Sequence, residues 1–174
     1  MVYRNVIIGV LIGVVVYIAC VFLSIKINGC LAVVVKSYHD YMRGYFFSAF
    51  LGISSFLLSL LTFVVINLKE KMFDSDDYKA MYRDFNGMGE KDDIVKKEIY
   101  KPLVVITTML VISIASCIIT ALSQFTLGLS DNPWVLVIPT SAPFFAIAFM
   151  SLSLMQMTQL IYQWLCSEDV MKES

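Results

Sequence analysis

Four long stretches of this 174-residue chain contain no Asp, Glu, Lys, Arg or His: Val6–Ile25, Gly44–Leu68, Leu103–Ser123 and Trp134–Trp164. An ionisable side chain inside a bilayer is costly and is kept where it works, in proton relays, voltage sensors and ion pathways. Its absence from all four stretches argues against proton-coupled transport, voltage sensing and the small multidrug exporters built around a membrane-embedded Glu. Histidine is nearly missing too. His39 stands alone beside Asp40, with Tyr38 and Tyr41 next to them, and one His with one carboxylate makes no metal site. It reads as a solvated loop residue or as an external titrating group. No nucleophile–base constellation is visible, so no enzyme, cofactor or metal is expected. The net charge of -1 gives no reason to expect direct nucleic-acid binding.

What is present is apolar surface. The chain is 59% hydrophobic and 16% charged, with a mean hydropathy of +0.77. Soluble domains run nearer 45–50% apolar and about 25% charged, so hydrocarbon is the expected solvent. Each stretch covers a bilayer core of roughly 30 Å at about 1.5 Å per residue. The expected fold is an all-α integral membrane protein with four transmembrane helices, at about 5–25, 44–68, 103–123 and 134–164. One membrane domain, 1–174, is the whole plan. The first stretch is too long for a typical signal peptide and no small-x-small cleavage site follows it, so it reads as a span. The last exceeds one span and must tilt, kink at Pro139 or Pro143, or run beyond the membrane. Asp131-Asn132-Pro133-Trp134 supplies a turn, a helix cap and an interfacial aromatic ahead of it.

Basic residues set the orientation. Arg4, Lys172 and eight more between the second and third stretches fall on one side: Lys69, Lys71, Lys79, Arg83, Lys91, Lys96, Lys97 and Lys101. Only Lys26, Lys36 and Arg43 fall on the other. The positive-inside rule then puts both termini and the loop 69–102 of a multi-pass membrane protein in the cytoplasm. On this topology Cys30 alone of Cys20, Cys30, Cys117 and Cys166 is external. That argues against a quinone-linked disulfide enzyme, which needs a pair there. Cys20 and Cys117 read as packed apolar residues. Cys166 reads as a surface thiol or, in a eukaryotic host, a palmitoylation site.

The loop has its own pattern. Ser75 can cap a helix with Asp76 and Asp77 in its first turn. Tyr78, Met81, Tyr82 and Phe85 then share one face, and Asn86-Gly87-Met88-Gly89 should end the helix. A second short helix over about Lys91 to Tyr100 would complete a helical hairpin and lead through Pro102 into the third span. The aromatic stripe is either a docking anchor for a cytoplasmic protein, flanked by the charged run Glu90 to Glu98, or a face packed on the span ends. On the external side, Leu31-Ala32-Val33-Val34-Val35 is too short to span and can lie in the interface or on the helix ends.

Polar residues within the spans are hydroxyls and amides. Those of the second and third spans serve either close helix packing or a pore lining. Gln156, Gln159 and Gln163 lie along one face of the fourth span, either as an interhelical or intersubunit hydrogen-bond strip or as a helix end in water. Gly9 and Gly13 form a GxxxG motif in the first span, which serves packing inside the chain or self-association. A homo-oligomer is expected, since four short helices alone enclose little. Two readings of function follow. One is a non-enzymatic scaffold or sensor that signals to, or anchors, a cytoplasmic partner through Lys69–Lys101. The other is a small pore-forming or depolarising effector, or a channel for uncharged solutes.

In size, four-span plan and cytoplasmic loop, from Lys69-Glu70-Lys71 through Tyr100-Lys101-Pro102, the chain resembles the small membrane subunits of bacterial antiphage defence systems such as Kiwa. Superinfection-exclusion proteins of phages share the same outline. The resemblance implies an oligomer in the inner membrane that senses infection and works with a cytoplasmic nucleic-acid-binding partner. It carries no individual residue across.

Overall fold

The computed structural model describes residues 2–28, 31–85, 87, 99–130 and 132–173, and every regular element among them is helical. Helix α1 runs Val2–Asn28. A short α2, Leu31–Ser37, passes through a π-type turn, Tyr38–Met42, into α3, Arg43–Phe63. A second π segment, Val64–Phe73, carries the chain to α4, Asp76–Phe85. Then come α5, Lys101–Phe125, a single 3-10 turn at Leu127–Leu129, and α6, Pro133–Glu173. Four helices are long and apolar enough to cross a membrane: Tyr3–Ile27, Val33–Lys71, Lys101–Leu129 and Trp134–Tyr162. The segment before Arg43 is therefore helical and joined to the second span.

Local chemistry accounts for the boundaries. The Ser75 hydroxyl accepts a hydrogen bond from the Tyr78 backbone N–H at 3.3 Å, the N-cap geometry expected for α4. Gly87, with φ +63, follows the helix end in the left-handed conformation that glycine adopts without steric penalty. Pro102 occupies the first turn of α5, where its missing N–H costs nothing. Asn132 caps α6, its side-chain oxygen accepting from the Trp134 N–H at 3.0 Å, with Pro133 opening the helix. Residues 88–98, and with them most of the expected second loop helix, lie outside the described residues, as do the side chains of Met81, Phe85, Gln163 and Cys166.

The spans pack as an open row in the order α3, α5, α6, α1, and no interface forms between the two end members. Helix α5 sits inside. In its most apolar window 44% of the residues are buried, against 11% for α1 at the edge. The core joins Phe50 and Leu57 of α3 to Leu103, Ile106, Leu110, Ile114, Cys117 and Ala121 of α5, with Ala146 of α6. Hydroxyls in this row satisfy themselves. Ser54, Ser59, Thr62, Thr108, Ser116, Thr120 and Ser123 each donate to a carbonyl of their own helix. One hydroxyl pair crosses between helices in the dry core, Ser113 to Ser153 at 2.7 Å.

The start of α1 lies beside the later part of α6, since Gly9 meets Phe149 and Leu152 while Tyr17 meets Thr140 and Phe144. The antiparallel α5 brings Lys101, with Phe73 against Tyr100, to that same end. The other end gathers Tyr38, Arg43 and Gly128.

Candidate functional site

A proline inside a helix leaves one carbonyl without its donor, four residues back. In water that carbonyl is hydrated; in hydrocarbon it needs a protein partner. Pro143 frees the carbonyl of Pro139 in this way. The structure supplies the missing donor from another helix: Gln124 Nε2 of α5 donates to the Pro139 oxygen at 2.5 Å. The amide's own oxygen accepts from the Tyr38 hydroxyl at 2.5 Å. Gln124 is fully buried and Tyr38 is 3% exposed, so both groups depend on each other.

Neighbouring contacts close the junction. Tyr38 is the first residue of the π turn, and its ring meets His39 edge-on. A Cβ added at Gly128 would lie 2.9 Å from the Tyr38 oxygen and 3.2 Å from the Arg43 chain. Only glycine lets the 3-10 turn approach this closely. The Arg43 guanidinium donates to the Gly128 carbonyl at 3.4 Å. From α1, the Tyr17 hydroxyl lies 3.2 Å from the Thr140 hydroxyl, one residue past Pro139. Three elements thus converge on the proline-broken turn of α6 through neutral polar groups. Beside them opens a recess of about 520 Å³ lined by His39, Asp40, Tyr41, Arg43, Gly44, Tyr45 and Ser48. His39 Nε2 is shut off from solvent there and has no partner.

The opposite end carries an aromatic knuckle. Phe73, fully buried, meets Tyr78 at 4.9 Å between ring centroids and Tyr100 at 6.1 Å. Ile99 and Leu103 complete the cluster, with Tyr82 packed partly against it. The Tyr100 hydroxyl donates to the Asp74 carboxylate, and Lys79 donates to the Asp74 backbone carbonyl at 2.7 Å. The hydrogen bond to Asp74, with burial second, pushes the Tyr100 phenol above its usual range; burial does the same for Tyr78. Lys69, Glu70, Lys71, Asp76 and Lys101 face outward.

The residues singled out from sequence fall as follows. Tyr78 is 9% exposed and turned into the knuckle; Tyr82 is half-buried. The aromatic face of α4 therefore packs on span ends at these two positions. Gly9 and Gly13 are buried within the chain, where an added Cβ would come within 2.7 Å of the Phe149 ring and 2.5 Å of the Phe145 ring. That glycine stripe is occupied by α6. Gly44 and Gly52 of α3, by contrast, have nothing within 4 Å of an added Cβ. Gln156 is half-buried, its side-chain oxygen closed off without a hydrogen-bond partner, and Gln159 is exposed. Cys117 is buried and Cys20 half-buried, both free. Among the described residues no three His, Cys, Asp or Glu side chains gather as a metal site.

Sequence reasoning missed Gln124 and the partners of Tyr38. Gln124 stands one residue beyond the third uncharged stretch, and Tyr38 falls in a segment set outside the spans. The signal was nonetheless present: an amide on one helix and a paired proline motif on the next need each other in lipid. No protein-family model matches the chain, and neither a curated protein nor a solved structure is detectably similar to it.

Proposed function

We propose that this chain is a non-enzymatic, oligomeric scaffold or sensor of the bacterial inner membrane. Its termini and the α4 knuckle face the cytoplasm, and a soluble partner docks there. The knuckle carries this reading. Phe73, Tyr78 and Tyr100 fix α4 to the ends of α3 and α5, so a wet charged surface is held rigidly on the span ends. Such a surface can hold a partner in register with the spans. Because Tyr78 is turned inward, the groups offered to that partner are the outward charges, Lys69, Lys71 and Lys101 among them. The resemblance to antiphage membrane subunits supplies a setting, in which the partner binds nucleic acid.

The pore reading has less support. Among the described residues the spans form an open row rather than a closed ring, and most span hydroxyls are bonded to their own backbones. Co-purification from the native membrane in mild detergent tests the scaffold. Lys69→Glu with Lys71→Glu should strip away a stoichiometric soluble partner while leaving the chain folded. An unchanged partner set, or loss of membrane potential on expression, would turn the argument toward the effector reading.

A further inference from the structure

A helix that merely crosses a membrane gains nothing from Pro143, because any residue with an N–H there would satisfy the Pro139 carbonyl within α6. Here the donor sits on α5, at 2.5 Å, so the integrity of α6 depends on its neighbour. The donor is itself held from a third place, by Tyr38 at the start of the π turn. A π turn holds one residue more than the regular α-helix allows. Its relaxation to α geometry would rotate the preceding segment by about the 100° that one helical residue subtends, carrying the Tyr38 hydroxyl off Gln124.

We propose that Gln124 is a releasable latch on a hinge in α6. With its amide seated on the Pro139 carbonyl, Pro133–Glu173 is one rod. With the amide withdrawn, the first turns of α6, from Trp134 to Pro139, swing about the Pro139–Pro143 break. Tyr38 decides between the two states, since it fixes which way the Gln124 oxygen points. A change in the Tyr38–Met42 turn, at the end where the recess opens, is thereby converted into a movement of the first turns of α6 at that same end. This gives the sensor reading its moving part, and it rests on that reading only for what the movement reports.

Fluorotryptophan NMR of the full chain in lipid nanodiscs tests the latch. Trp134 opens α6 and is 84% exposed, and a Trp164→Phe variant assigns its line. Wild type should give one sharp Trp134 signal. Gln124→Leu should raise a second signal or broaden the first, with the minor population growing about tenfold or more, the factor one buried hydrogen bond is worth. Tyr38→Phe should act in the same direction but less. The decisive variant is Pro143→Ala, which returns a helical N–H to the Pro139 carbonyl. In that background Gln124→Leu should leave the Trp134 line as in wild type.

Should Gln124→Leu alone fail to fold, the double variant with Pro143→Ala must recover a folded chain with a single Trp134 line. An equal effect of Gln124→Leu in both backgrounds would overturn the proposal, and so would a Trp134 line that Gln124→Leu leaves unmoved. None of these measurements involves a soluble partner, so the latch and the docking surface can fail separately.

Discussion

Each end of the row is tied by a tyrosine hydroxyl, and the two ties use different acceptors. At one end Tyr38 donates to a neutral amide, Gln124, which hands the interaction on to a backbone carbonyl. At the other, Tyr100 donates to a carboxylate, Asp74, beside lysines that reach solvent. The environments explain the choice. Gln124 is fully buried inside a span, where an ionised partner would cost far more than an amide. Asp74 lies past the end of a span, where its half-buried carboxylate is within reach of water. The same donor chemistry is therefore dry and uncharged in one place, wet and charged in the other.

The largest difference should appear on removing each hydroxyl. Tyr38→Phe strands the buried Gln124 oxygen, and leaving a buried polar atom unpaired costs about 2 kcal/mol. Tyr100→Phe leaves Asp74 half-exposed and able to turn to water, for a loss within about 0.5 kcal/mol. Unfolding of both variants in the same nanodiscs makes the test, and equal losses would erase the distinction between a dry tie and a wet one. Gly128→Ala should fall between them, at about 1 kcal/mol. Its methyl group meets the Tyr38 oxygen at 2.9 Å, and that oxygen is pinned by Gln124. Combining Gly128→Ala with Tyr38→Phe should give less than the sum, since both act on one hydrogen bond.

The two ends were unequally legible in the residues. At the wet end, Ser75 followed by two aspartates announces a helix start, the stripe Tyr78, Met81, Tyr82 and Phe85 announces an amphipathic face, and Gly87 announces a stop. Each is a local rule acting over a few positions. At the dry end the interaction joins residues 38, 124 and 139, and periodicity carries no information about such distances. The spans themselves were plain because solvent preference accumulates over twenty residues without a charge. Their order was not: an apolar face records that it is buried or in lipid, without naming its neighbour. The glycines show the same limit. Gly9 and Gly13 form the recognisable motif, yet α6 fills it, while Gly44 and Gly52, eight apart and matching no short pattern, lie open.

Alkaline pH gives the gentlest way to separate the ends. The hydrogen bond to Asp74, with burial second, keeps the Tyr100 phenol protonated above its ordinary value of 10.0, and burial does the same for Tyr78. The folded state therefore holds these protons more tightly than the unfolded chain does. Their contribution is complete below pH 10 and is lost as pH rises through the folded values. Tyrosinate absorbance and the unfolding midpoint, followed together in nanodiscs, should show a loss of stability in that window that Tyr100→Phe reduces. Ionised Tyr100 can no longer donate and instead repels Asp74, so α4 should loosen while the spans stay packed. Proteolysis in the α4 region should then increase with pH before any cleavage within α5 or α6. Simultaneous loosening of both ends would mean that the knuckle and the junction form one cooperative unit.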